Sequence, residues 1–217
     1  MKEGPHSRPS PSPQAVQRSR AWQRMLSGRR LDLLDPAPAD IAIEDIAHGL
    51  ARVARWNGQT LGDHAFSVAQ HGLLVADIAA ALKPDTQSCW LLAALLHDAP
   101  EYVIGDLISP FKAAVGLDYK AFELRLLRAI HRAFGLPEQL PETVTAQIKH
   151  ADRIAAYYEA TVLAGFSLEE AARYFGKPDG LSQAVQQRLK ALTPQPAAAA
   201  QTAFLARFHA LVAEMRA

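Results

Sequence analysis

The chain has 217 residues, 49% of them apolar, which is enough to bury one substantial core and too few for two full domains. Its 23 Lys and Arg nearly balance 22 Asp and Glu, leaving a net charge of +1 and no global field for holding a nucleic-acid polymer; any nucleotide partner is expected to be small. The one cysteine, Cys89, has no intrachain partner and reads as a buried thiol in a reducing compartment. No signal-like apolar stretch opens the sequence, and the strongest apolar run, residues 90–96, is too short to span a bilayer, so a cytoplasmic protein with no membrane partner is expected.

Residues 1–20 form a Pro/Ser-rich basic tail with too little apolar content to offset the entropy of ordering. Residues 1–30 carry seven Lys and Arg against one Glu, with Trp22 the lone aromatic residue among them and no regular aromatic interleaving; a solvated tail running into a surface helix is expected. The main domain is placed at 21–192. Ile43, Ile46, Leu50 and Val53 mark its first amphipathic helix, and Val68, His71, Val75, Ile78 and Leu82 a second that stops at Lys83-Pro84-Asp85. A third helix starts near Thr86 or Ser88 and is apolar almost all round to Leu96, so it is expected to be the central, most buried one.

Ser109-Pro110 reads as an N-cap with proline at the first helical position, opening a short helix that ends at Gly116. Phe122, Leu126, Ile130 and Phe134 define the next helix, with Asp118 as its candidate cap and Gly135 at its close. A long helix from about Pro141 to Leu163 and two shorter pieces follow. Residues 193–217 carry a C-terminal helix with Phe204, Phe208 and Leu211, expected to pack on or beside the domain; residual apolar faces there could support a homodimer. Strand signals are scarce, so the fold class is all-α, a helical bundle of six or more helices.

The third helix delivers His97, Asp98 and Glu101 into what its composition marks as core. An unpaired carboxylate there is costly, and a cation would satisfy it and the histidine together. Pro100 lacks the N–H that would bond the Leu96 carbonyl, so the helix is expected to kink or loosen around His97 and Asp98. His71 lies within the apolar stripe of one helix and Asp152 on the core side of another. Together the four supply two imidazoles and two carboxylates, a borderline nitrogen and oxygen donor set.

The order His71, His97-Asp98, Asp152 resembles the H...HD...D signature of the HD-domain phosphohydrolases. The segments Arg55-Trp56, Ser67-Val-Ala-Gln-His71, His97-Asp-Ala-Pro-Glu101, Gly105-Asp106-Leu107, Ser109-Pro-Phe-Lys112 and Ala151-Asp152-Arg153 are similar, in order, to the bacterial 5'-deoxynucleotidase subgroup. The resemblance implies an HD-type helical bundle with one divalent ion (Mn, Co, Fe, Ni or Zn) held by His71, His97, Asp98 and Asp152, and Glu101 as the proton-transfer group. It also implies that Arg55, Trp56, Asp106 and Ser109 contact substrate. His64, in Gly62-Asp63-His64, is an alternative first ligand; His71 suits the pattern better in its context and in its spacing from Arg55. His131 and His150 are the candidate donors should a second metal bind.

The expected reaction is hydrolysis of a phosphate monoester, foremost a deoxyribonucleoside 5'-monophosphate, to nucleoside and orthophosphate. Two rival readings are an HD hydrolase acting on another phosphorylated nucleotide and a non-catalytic helical binding module with a vestigial centre. Metal analysis and a competition assay over nucleotides of different phosphate number separate them.

Overall fold

The computed structural model describes residues 21–106 and 117–217, with side chains in the second stretch from Tyr119 onward. The tail at 1–20, the Ser109-Pro110 helix start, the helix expected to end at Gly116 and the substrate contact assigned to Ser109 lie outside the described residues, as does the side chain of Asp118.

Among the described residues the chain forms nine α-helices and one small antiparallel hairpin, confirming the all-α bundle. The hairpin pairs β1 (Trp22–Arg24) with β2 (Arg30–Asp32), where a surface helix was expected. Its turn passes through Gly28 at φ +87, and the Arg30 guanidinium lies 4.5 Å from the Trp22 ring centroid. Leu31 points inward and is fully buried. Ser27, through both its amide and its hydroxyl, bonds the buried carboxylate of Asp45 and fixes the hairpin to the first helix.

The helices are α1 (Ile43–Leu50), α2 (Val68–Leu82), α3 (Ser88–Leu95), α4 (Glu101–Ile104), α5 (Leu117–Ala133), α6 (Glu142–Val162), α7 (Leu168–Phe175), α8 (Gln183–Leu189) and α9 (Ala197–Glu214). Helix α1 stops before Val53, and α2 closes at Lys83 as its Lys-Pro-Asp stop signal predicts. Helix α2 is the hub, packed against α3, α6 and α9. Helix α3 buries Leu91 through Leu95 without interruption, but it lies between α2 and α9 and does not form the centre by itself.

Helix α9 is an integral wall of the core: Ala200, Phe204 and Leu211 are fully buried against α1, α2 and α3. Gln70 on α2 donates to the Thr193 carbonyl at 3.1 Å and accepts from the Gln195 amide at 2.9 Å, pinning the segment that leads into α9. Cys89 is half-buried in the first turn of α3, not deep in the core. No helix among the described residues is long and apolar enough to cross a membrane.

Candidate metal centre

Helix α2 begins at the Ser67 N-cap, whose Oγ accepts from the Gln70 amide, and presents the fully buried His71 on its second turn. Gly72 lets α3 approach: a Cβ there would lie 2.8 Å from the Leu95 carbonyl oxygen. Helix α3 ends at Leu95, and residues 96–100 run as turns into α4, so the interruption anticipated at Pro100 is a full stop. That stop frees His97 and Asp98 from the fixed angular spacing of a helix and lets both converge on one point. Asp152 enters from α6, in the turn after the buried Ile148 and Ala151.

The four donors meet. His71 Nε2 lies 3.3 Å from His97 Nε2, 3.4 Å from Asp98 Oδ2 and 3.2 Å from Asp152 Oδ1, and His97 Nε2 lies 3.1 Å from Asp98 Oδ2. Ligand atoms of His71, His97 and Asp152 all fall within 4.8 Å of one another. Donors about 2.1 Å from a tetrahedral ion stand about 3.4 Å apart, so the spacing fits a divalent cation. The outer ring nitrogens are committed elsewhere: His71 Nδ1 bonds Glu159 Oε1 at 2.6 Å, and His97 Nδ1 bonds the Ala94 carbonyl at 2.8 Å. With protons placed there, both Nε2 lone pairs point inward beside two carboxylates, an arrangement suited to a cation at its middle.

The electrostatics agree. Burial and the Arg55 charge lower the His71 pKa, yet Glu159, Asp152 and Asp98 outweigh them and hold it well above the ordinary imidazole value. Burial opposes and Asp98 supports a smaller rise at His97. Burial would raise the carboxyl groups, but the imidazoles hold Asp98 well below and Asp152 below the usual carboxylate range. The side chain of Asp152 remains 40% exposed, so the centre opens to solvent on the α6 side.

Glu101 starts α4, its amide bonded to the Asp98 carbonyl at 3.0 Å, and its side chain is only 1% exposed, which excludes a solvated surface carboxylate. Arg55 and Trp56 occupy a 3-10 turn, Arg55–Gly58, held against the start of α2 by bonds from the Arg55 amide to Phe66 O at 2.8 Å and from the Val68 amide to Val53 O at 3.0 Å. Trp56 and Asn57 both take left-handed backbone conformations, φ +57 and +51, a strain that persists only where surrounding contacts fix it. The Trp56 ring is flanked by Phe166 and Phe175 at centroid distances of 5.6 and 5.9 Å. Arg55 Nη1 reaches Asp106 Oδ2 at 3.4 Å, so two of the expected substrate contacts touch each other.

Glu159 was not anticipated from the sequence. It is fully buried on α6 and links His71, Arg55 and Trp56. Its place seven residues after Asp152, two helical turns along one face, is the signal that could have found it. His64 is exposed in the loop before α2 and outside the helix, so it does not share a face with His71. His131 Nδ1 bonds the Pro137 carbonyl, and His150 pairs with Asp179 at 3.1 Å; both are engaged away from the centre.

The HD domain family matches residues 63–157, a stretch holding all four converging donors. The chain is also 57% identical over 193 residues to an uncharacterized protein of Rhodobacter capsulatus, covering 89% of this chain and 96% of the relative. Residues 63–157 are thus an HD domain, and His71, His97, Asp98 and Asp152 converge within it.

Proposed function

We propose that the chain is a metal-dependent phosphohydrolase acting on a small phosphate monoester, foremost a deoxyribonucleoside 5'-monophosphate. The observation that carries this reading is the convergence of His71, His97, Asp98 and Asp152 donor atoms at 3.1–3.4 Å, with a half-buried guanidinium fixed nearby. His71, His97, Asp98 and Asp152 would hold one divalent ion, for which Mn, Co, Fe, Ni and Zn all suit the donor set. When bound, such an ion polarises a phosphoryl oxygen and lowers the pKa of a water.

The chain's own residues supply the rest. Arg55, planar and permanently charged, orients the phosphate, while Trp56 closes the sugar side and Asp106 offers an acceptor to a sugar hydroxyl. Burial lowers the Arg55 pKa, but Glu159 and Asp106 outweigh it and keep the guanidinium ionised. Water attacks phosphorus, the bond from phosphorus to the 5'-oxygen breaks, and Glu101 carries the water's proton toward the departing alkoxide. Nucleoside and orthophosphate result. The carboxylates around Arg55 leave the metal-free site short of positive charge, so metal is expected to bind before phosphate.

The test is a phosphate-release screen over deoxy- and ribonucleoside monophosphates with the metals above, paired with metal analysis. Metal-replete protein that releases no phosphate from any of them, or His97→Ala protein with intact activity, would sink the reading. Release from di- or triphosphates alone would move the substrate to another phosphorylated nucleotide.

A further inference from the structure

Glu159 is a carboxylate with no contact to solvent whose two oxygens do different work. Oε1 faces His71 Nδ1 at 2.6 Å, on the ring edge opposite the nitrogen that points at the metal centre. Oε2 accepts three N–H groups: Trp56 Nε1 at 2.9 Å, Arg55 Nη2 at 3.2 Å and Arg55 Nε at 3.3 Å. An ion pair serving stability alone would need only the guanidinium. Here the shortest contact goes to the histidine, and the rest go to the two residues assigned to substrate.

We propose that Glu159 is a positioning residue: its Oε1 fixes His71 as the Nδ1–H tautomer, with the Nε2 lone pair aimed at the cation, while its Oε2 holds Arg55 and Trp56 in place for the phosphate. One buried side chain thereby sets the cation site and the anion site in register. The inference rests on reading His71 as a metal ligand. It also explains how the left-handed Trp56 is retained, since the indole is bonded to Glu159 on one side and packed by Phe166 and Phe175. Glu159 lies two positions beyond the matched HD segment, and Arg55 and Trp56 lie before it, so the carboxylate ties that segment to its flank.

Glu159→Gln tests this because an amide has one oxygen to place. Three donors compete for it at the Arg55 and Trp56 side against one at His71, so the NH2 turns toward His71 Nδ1. That forces the proton onto Nε2 and blocks the ligand lone pair. The expected result by calorimetry with Mn, Co, Ni and Zn is a loss of affinity of about 10–100-fold relative to wild type, with a cooperative melt retained. Nitrogen-15 histidine spectra of metal-free protein at alkaline pH, where the rings are neutral, should show His71 as the Nδ1–H form in wild type and the Nε2–H form in the variant. If Glu159→Gln does not fold, Glu159→Asp keeps the charge and withdraws the carboxylate, and a weakened metal affinity is again expected. Wild-type affinity and an unchanged His71 tautomer in a folded Glu159 variant would overturn the role of Glu159. Wild-type protein that binds none of the four metals would overturn the reading of the centre itself.

Discussion

Gly72 faces the Leu95 carbonyl so closely that a Cβ on it would stand 2.8 Å from that oxygen and 3.4 Å from Phe204 Cε2. The contact sets the distance between the helix that carries His71 and the one that ends just before His97. Gly72→Ala should push α2 and α3 apart, costing about 1–3 kcal/mol as overpacking does. Metal affinity should fall with stability, because the His71 to His97 spacing widens. Denaturant unfolding and metal titration check this together, and unchanged values in both would show that the helices can shift without cost.

Glu101→Gln keeps the size and burial of the side chain and removes its capacity to carry a proton. Turnover should fall by about 10²–10⁴-fold while metal content stays at the wild-type level. Steady-state kinetics alongside elemental analysis of the purified variant give the answer. Loss of metal would reassign Glu101 from proton carrier to ligand.

Metal affinity should depend on pH. Both imidazoles hold protons more tightly than usual in the metal-free centre, His71 the more strongly, because carboxylates face them. A ring that is protonated must release its proton before it can bind the ion, so affinity weakens as pH falls through the raised imidazole values and strengthens as pH rises. Calorimetry in buffers of different ionisation enthalpy should register net proton release. Affinity independent of pH between about 6 and 9 would contradict this picture.

Phe204→Ala removes a fully buried ring from α9 where that helix meets Gly72. A loss of about 3–5 kcal/mol is expected, as for other buried aromatic truncations. Thermal unfolding measures it. A small loss would mean that α9 contributes little to the core.

The bundle and the converging histidines and aspartates were legible because helix period and burial leave marks in the sequence. His71 sits in an apolar stripe, His97-Asp98 ends an apolar run, and Pro100 marks the break. The hairpin at Trp22–Asp32 was not, since three-residue strands are too short to show alternation and the only cue is the Ser27-Gly28 turn. Glu159 escaped for a different reason. A lone glutamate among Tyr157, Tyr158 and Ala160 looks like an ordinary helix residue until its contacts, more than a hundred positions away at Arg55 and Trp56, are in place. Counting seven residues on from Asp152 would have flagged the face but not the partners.

The stop at Pro100 has a consequence for how such a protein can change. His97 and Asp98 ride on one short stretch of turn that leads directly into Glu101 at the start of α4, whereas Arg55 and Trp56 ride on a separate turn before α2. The end proposed to react and the end proposed to recognise substrate are thus encoded by different stretches of chain. Insertions or exchanges around residues 55–60 could retarget the protein to another phosphorylated molecule without rewriting its chemistry, provided Glu159 still has a guanidinium and an indole to hold.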